Sequence, residues 1–254
     1  MGQRQRPLKE FCVVAHRGAM GHAPENTLAA FVKAMDMGAH MSELDIHQSR
    51  DGELIVIHDA QVSRTTDGAG AVSELTLADI KKFDAGTWFG PQYAGERVPT
   101  LQEVIDLVRG RMALNVEVKA GQEGLYPGII DRLIDHVVKN GLEEGLVVSS
   151  FRQEYLLELR SKAPRVRAAL LYSKPFAEPW REAAEQGWDL HPNASAVDGE
   201  LIKEAHSRGI TVRAWTVNEP EVMRQLIDLG VDAIITNFPD RLHEVLQRKD
   251  ETEC

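Results

Sequence analysis

A short apolar run followed by a longer amphipathic stretch recurs through almost the whole chain, and this repetition limits the fold more than any other feature. Strand-like runs fall at Phe11 to Ala15, Met41 to His47, Ala113 to Lys119, Leu146 to Ser150, Ala168 to Tyr172, near His191, at Ile210 to Val217 and at Ala233 to Thr236. Helical periodicity follows at Leu28 to Met37, Leu101 to Val108, Ile129 to Asn140, Gln153 to Lys162, Phe176 to Gln186, Gly199 to Ser207, Pro220 to Leu229 and Pro239 to Arg248. Gly38, Gly141, Gly187, Gly209 and Gly230 stand at helix ends, where glycine turns the chain back towards the next strand. About eight such units in a chain of 254 residues are arranged most economically as an α/β fold of the closed (β/α)8 type, a TIM barrel. An open doubly wound sheet is the alternative, but no Gly-x-Gly-x-x-Gly phosphate loop follows the first strand.

One stretch breaks the rhythm. Residues 60–100 are too long for a barrel loop, and they hold Thr65-Thr66-Asp67-Gly68-Ala69-Gly70, a candidate helix Leu77 to Phe83, and Gly86-Thr87-Trp88-Phe89-Gly90. The stretch reads as a small insertion after the second strand unit, with aromatics that favour a packed cap. The expected organisation is one domain over residues 1–254 that carries this insertion.

The 43% hydrophobic and 27% charged composition supports a large core without structural metal or disulfides, and Cys12 and Cys254 make no disulfide framework. The first ten residues lack the apolar run of a signal peptide, and no stretch is long and apolar enough to cross a bilayer, so the expected location is cytoplasmic. A formal charge of -10 argues against general nucleic-acid binding and repels anionic small molecules at long range. A phosphate site here needs a local positive source.

The candidate chemistry lies where strands end, because in such barrels the loops there surround a shared mouth. In Ser42 to Asp59, the residues Glu43, Asp45 and His47 alternate with Leu44 and Ile46, so the polar groups share one strand face. Asp51-Gly52 turns the chain, and a second short run, Leu54 to Ile57, ends in His58-Asp59. The first strand ends in His16-Arg17-Gly18, and Asn115, Glu117 and Lys119 repeat the alternation on the third strand. Two neighbouring strands thus turn three carboxylates inward, where they repel one another unless a cation relieves them. A hard divalent ion on oxygen ligands would do so. A buried salt-bridge network with Arg17 and Lys119 is the alternative. His16 and His58 carry the side chain suited to moving protons near neutrality, and Arg17 and Lys119 suit phosphate oxygens. Phe151 and Trp215 fall near the mouth, as core or as a platform for substrate. The other seven histidines read as structural, with His47 the doubtful one.

These motifs together resemble the glycerophosphodiester phosphodiesterase family over nearly the whole chain. The resemblance runs from His16-Arg17-Gly18 and Pro24-Glu25-Asn26-Thr27 through Glu43-Leu44-Asp45, His58-Asp59 and Asn115-Val116-Glu117-Val118-Lys119 to Trp215-Thr216-Val217-Asn218 and Ile234-Ile235-Thr236-Asn237. It implies a (β/α)8 barrel, a Mg²⁺ or Ca²⁺ ion on Glu43, Asp45 and Glu117, His16 and His58 as general acid and base, and Arg17 and Lys119 as phosphate ligands. The implied reaction is hydrolysis of a glycerophosphodiester to glycerol 3-phosphate and an alcohol. Met20 and His22, in the loop after Gly18, depart from the family's usual pattern. The rival expectations are a lysophospholipase D, which needs a wide apolar entrance, and a catalytically silent sugar-phosphate-binding barrel, which needs no histidine pair.

Overall fold

The computed structural model describes residues 11–252, so the expectations for the first ten residues and for Cys254 lie outside it. Within it the apolar runs become strands β1 (Cys12–Ala15), β2 (Met41–Gln48), β3 (Leu54–Val56), β4 (Ala113–Val118), β5 (Leu146–Ser150), β6 (Arg167–Tyr172), β7 (Asp189–Pro192), β8 (Arg213–Ala214) and β9 (Ala233–Thr236). The helices between them are α1 (Leu28–Asp36), α2 (Leu77–Ile80), α3 (Leu101–Val108), α4 (Ile129–Asn140), α5 (Gln153–Lys162), α6 (Pro179–Gln186), α7 (Gly199–Ser207), α8 (Pro220–Leu229) and α9 (Pro239–Thr252).

The strand order is β7-β6-β5-β4-β2-β1-β9-β8, all parallel, with β3 antiparallel on β2. Single parallel bridges, Leu190 to Val212 and Asn193 to Trp215, join the two ends and complete the ring. This is the expected (β/α)8 barrel. Its last seam is thin for a local reason. The Val212 N–H donates to the Asp232 carboxylate at 2.7 Å and that of Thr211 to Asp189 at 3.2 Å, so side chains take donors that a ladder would use. The ladder of β8 therefore covers Arg213–Ala214 instead of Ile210 to Val217.

Local chemistry sets the helix ends. The Thr27 hydroxyl accepts the Ala30 N–H at the start of α1, Asp198 does the same for Leu201 at α7, and Thr100 with Glu103 forms a full capping box on α3. Helix α6 begins at Pro179, later than the expected Phe176, because Glu178 adopts a left-handed conformation (φ 51°) and proline suits the first helical position. Helix α2 stops at Ile80, short of Phe83, which packs instead on the insertion's own cluster.

The apolar faces of the helices cover the outside of the ring. Helix α4, for example, buries Ile129, Ile130, Leu133 and Val137. The main core lies between strands and helices, while a smaller set that includes Val14, Met41, Val147, Ala169, Ala233 and Ile235 packs inside the barrel. The insertion has a separate cluster of Val62, Val72, Ile80, Ala85 and Val98, anchored on Ile55 and Ile57 at β3. Strand β3 thus links the barrel to the cap.

Gly18 turns the chain out of β1 with φ 76°, and a Cβ there would lie 2.6 Å from the carbonyl carbon and Cβ of Ala30. Gly110 has a similar φ of 70° with open space around it. Gly18→Ala is therefore expected to lower unfolding stability by more than about 1 kcal/mol. Gly110→Ala should cost less, and urea titration of both variants compares the two.

Candidate active site

The parallel register between β2 and β4 decides where the acids meet. Asp45 pairs with Glu117 and Glu43 with Asn115, while Ala15 pairs with Ser42 across β1 and β2, leaving His16 just beyond the strand beside Glu43. Alternation turns these side chains to the inside of the ring. One carboxylate oxygen from each of Glu43, Asp45 and Glu117 lies within 4.8 Å of the others, and all three residues are buried.

Two cations enter this group. Arg17 adopts a left-handed conformation (φ 51°). Its backbone N–H donates to Glu43 Oε2 at 3.0 Å, its Nε lies 3.3 Å from Asp45 Oδ2, and its terminal nitrogen donates to Glu25 at 2.9 Å. Lys119 is ion-paired with Glu117, and its Nζ lies 3.1 Å from Asp45 Oδ1. Asn26, also left-handed (φ 57°), donates its amide to Asp45 Oδ2 at 2.9 Å.

The acids respond unequally. Burial acts to raise Asp45, yet the charges of Lys119 and Arg17, aided by Asn26, hold it well below the usual carboxylate range. Glu43 is pushed well above that range by burial and then by the charges of Asp45 and Glu117. Burial lifts Glu117 to about 7 against the pull of Lys119, with Asp45 adding to the rise. Among the described residues no Lys or Arg side chain forms an ion pair with Glu43; His16 Nε2 lies 3.9 Å away, and the charges of Arg17 and Lys119 offset only part of the rise. Asp45 Oδ1 is buried and accepts no hydrogen bond. The salt-bridge alternative thus accounts for Asp45 and Glu117 but leaves Glu43 uncompensated. An all-oxygen donor set with excess negative charge fits a hard divalent cation.

Both flanking histidines are oriented through Nδ1. His16 Nδ1 lies 2.7 Å from Asn237 Oδ1, and His58 Nδ1 lies 2.6 Å from Asp59 Oδ1. Since each partner accepts, Nδ1 carries the proton and Nε2 is left to act on a ligand. Burial, reinforced by the charge of Arg17, lowers His16 to about 4, and burial also lowers His58. His47 proves structural: its ring bonds the Tyr126 hydroxyl at 2.9 Å and the His58 carbonyl at 3.0 Å.

A cavity of about 280 Å³ brings together His16, Arg17, Glu43, His58, Glu117 and Lys119, with Asp45 behind them. Phe151 and Trp215 line its other side as an edge-to-face pair with centroids 5.5 Å apart. Trp215 is tied down by its Nε1 donating to the His191 carbonyl at 2.7 Å, whereas Phe151 is 43% exposed. All nine sequence-derived candidates therefore meet at one mouth.

Residues 16–241 match the Glycerophosphoryl diester phosphodiesterase family. The chain belongs to this family. Membership places it among the phosphoric diester hydrolases. It is 42% identical over 238 residues to the glycerophosphodiester phosphodiesterase of Caldanaerobacter subterraneus subsp. tengcongensis, covering 93% of this chain and 98% of that one. It is 37% identical to the Bacillus subtilis glycerophosphodiester phosphodiesterase, covering 91% and 85% of the two chains. Among solved structures, an Oleispira antarctica phosphodiesterase in complex with the product sn-glycerol-3-phosphate superposes with a TM-score of 0.84 at 31% identity, covering 93% of this chain and 96% of that one. The Agrobacterium tumefaciens glycerophosphodiester phosphodiesterase gives 0.81 at 29% identity, with 92% and 99% covered.

Several residues of this phosphodiesterase-family site had no assigned role in the sequence. Asp59 and Asn237, which orient the histidines, sit inside the motifs His58-Asp59 and Thr236-Asn237, so their signal was adjacency. Asn115 lay in the alternating strand, but the lack of a hydrogen-bond partner for either of its buried amide atoms is visible only in three dimensions. Ser149, opposite Glu117, likewise has a buried and unpartnered hydroxyl on the cavity.

The uncompensated charge of Glu43 has a direct consequence for stability. In EDTA at pH 8, Glu43→Gln is expected to stabilise the protein by roughly 1–3 kcal/mol, because a buried unpaired carboxylate is replaced by a neutral isostere that still accepts the Arg17 N–H. The same variant should lose most of any rise in melting temperature that an added divalent cation gives the wild type. Thermal melts with and without metal read both effects.

Proposed function

We propose that the protein hydrolyses glycerophosphodiesters to glycerol 3-phosphate and an alcohol, in a reaction that depends on a divalent cation and uses His16 and His58 as acid and base. The observation that carries this reading is the meeting of three buried acids, two cationic side chains and two Nδ1-anchored imidazoles on one cavity. Family membership and the product named for the Oleispira antarctica relative support the substrate class.

Glu43, Asp45 and Glu117 would hold the ion, Mg²⁺ or Ca²⁺. When bound it supplies positive charge to stabilise the non-bridging phosphate oxygens. Arg17 and Lys119 contribute the protein's own share of that charge. The Lys119 ammonium donates to Glu117 and lies beside Asp45 without a hydrogen bond to its Oδ1, so N–H donors remain for a phosphate oxygen. The Arg17 guanidinium is braced by Glu25 and Asp45, so its orientation is set before substrate arrives.

One Nε2 removes the proton from the attacking oxygen, which is water or the neighbouring glycerol hydroxyl, while the other histidine enters the reaction as imidazolium, protonated on both nitrogens, and gives its Nε2 proton to the leaving alcohol. A pair with one anchored nitrogen each and one free nitrogen each suits this two-sided transfer. Phe151 and Trp215 form the wall on which the alcohol portion packs. The charge balance of the mouth is local, so the chain's overall negative charge does not bar a phosphodiester from it.

Choline release from glycerophosphocholine tests the reading. His16→Ala and His58→Ala should each lose about 100-fold or more in kcat while keeping the wild-type circular dichroism spectrum. Either variant turning over at the wild-type rate would remove the acid–base assignment. EDTA should abolish release in the wild type, and added Mg²⁺ or Ca²⁺ should restore it. Full activity in chelator would remove the metal from the mechanism.

A further inference from the structure

Arg64 lies in the insertion, outside the residues that line the cavity, yet its guanidinium joins two carboxylates that serve the site from different directions. Nε donates to Asp59 Oδ2 at 2.6 Å and one terminal nitrogen to Asp59 Oδ1 at 3.1 Å. The same terminal nitrogen donates to Glu25 Oε1 at 2.7 Å, and the other to Glu25 Oε2 at 2.9 Å. Two forks on one planar group use four of its N–H donors and fix it rigidly.

Each carboxylate then passes this constraint inward. Asp59 Oδ1 accepts from His58 Nδ1 at 2.6 Å, and Glu25 Oε1 accepts from Arg17 at 2.9 Å. Glu25 is buried, while Arg64 is about half exposed, with 45% of its side chain open to solvent. Arg64 holds Asp59 down to about 2, chiefly through its hydrogen bonds, so the acceptor of His58 stays ionised. The backbone that presents Arg64 is itself anchored, because Val62 in the same short turn is fully buried in the insertion's cluster.

We propose that Arg64 is a positioning residue for the phosphodiester reaction, one that fixes the His58 imidazole through Asp59 and the Arg17 guanidinium through Glu25 in a single relative geometry. This role rests on the assignment of His58 and Arg17 proposed above. It gives the insertion a task beyond covering the barrel, since it delivers the bracket that ties the β3 end of the mouth to the loop after β1. An exposed ion pair that served stability alone would need only one carboxylate, and a lysine would do as well. A double fork needs arginine.

The test uses Arg64→Ala and Arg64→Gln, which keeps a shorter polar side chain with neither the charge nor the fork, each alone and combined with Asp59→Asn. With glycerophosphocholine as substrate, Arg64→Ala is expected to lower kcat about 10- to 100-fold, as small displacements of reacting groups do. KM should rise, and Glu25→Gln should raise it likewise. The double variant should fall in kcat by less than the product of the two single effects, because both changes share the His58 imidazole. Independently of turnover, the two ring nitrogens of His58 in ¹⁵N spectra should move from a fixed Nδ1–H pattern towards a tautomer average in both Arg64 variants. Those of His16, held by Asn237, should stay as they are. An Arg64→Ala enzyme with kcat within about twofold of wild type and unchanged His58 nitrogens would overturn the proposal, as would full multiplicativity in the double variant. If the wild type releases no choline, the proposed reaction on this substrate fails, while the His58 nitrogen shifts still decide the role of Arg64.

Discussion

Three carboxylates turned into the mouth of a closed barrel create an electrostatic problem around which the rest of the site is arranged. Burial and mutual repulsion push Glu43 and Glu117 towards their neutral forms, and only Asp45 is fully relieved, by Lys119 and Arg17. The protein therefore supplies about two cations for three acids. That shortfall leaves Glu43 without a Lys or Arg partner among the described residues, and it makes the three acids an oxygen donor set suited to an additional positive charge. An anionic phosphodiester would be repelled by the bare acids and attracted once they are neutralised. On the proposed reaction, the same imbalance would link the cation to the substrate.

The supporting residues do their work by conformation as much as by charge. Arg17 and Asn26 both sit at positive φ, and each turns a donor towards the acids, the Arg17 N–H to Glu43 and the Asn26 amide to Asp45. Left-handed geometry at non-glycine residues is costly, and here it is held by hydrogen bonds on either side. The loop between β1 and α1 is thereby as much a part of the site as the strands are.

Much of this was legible in the sequence because strand alternation is a strict code. Glu43 with Asp45, and Asn115 with Glu117, had to share a face, and parallel pairing of neighbouring strands had to bring those faces together. The order of His16, His58, Phe151 and Trp215 at strand ends likewise fixed their place at one mouth. The lengths of β8 and α6 were not legible, because they depend on carboxylates of Asp232 and Asp189 capturing backbone donors and on the left-handed turn at Glu178. The bracket of Arg64 was also hidden. Glu25 and Arg64 are 39 residues apart, and only the folded insertion brings them within hydrogen-bond distance.

The ring of strands is not equally strong all the way round. Its broadest ladder, six registered pairs between β2 and β4, carries the acids, whereas the join between β7 and β8 is made by isolated bridges on the far side. The acids therefore sit on the most fully paired part of the ring, while Trp215 sits at the seam and is held there by its own bridge to Asn193 and by Nε1 on the His191 carbonyl.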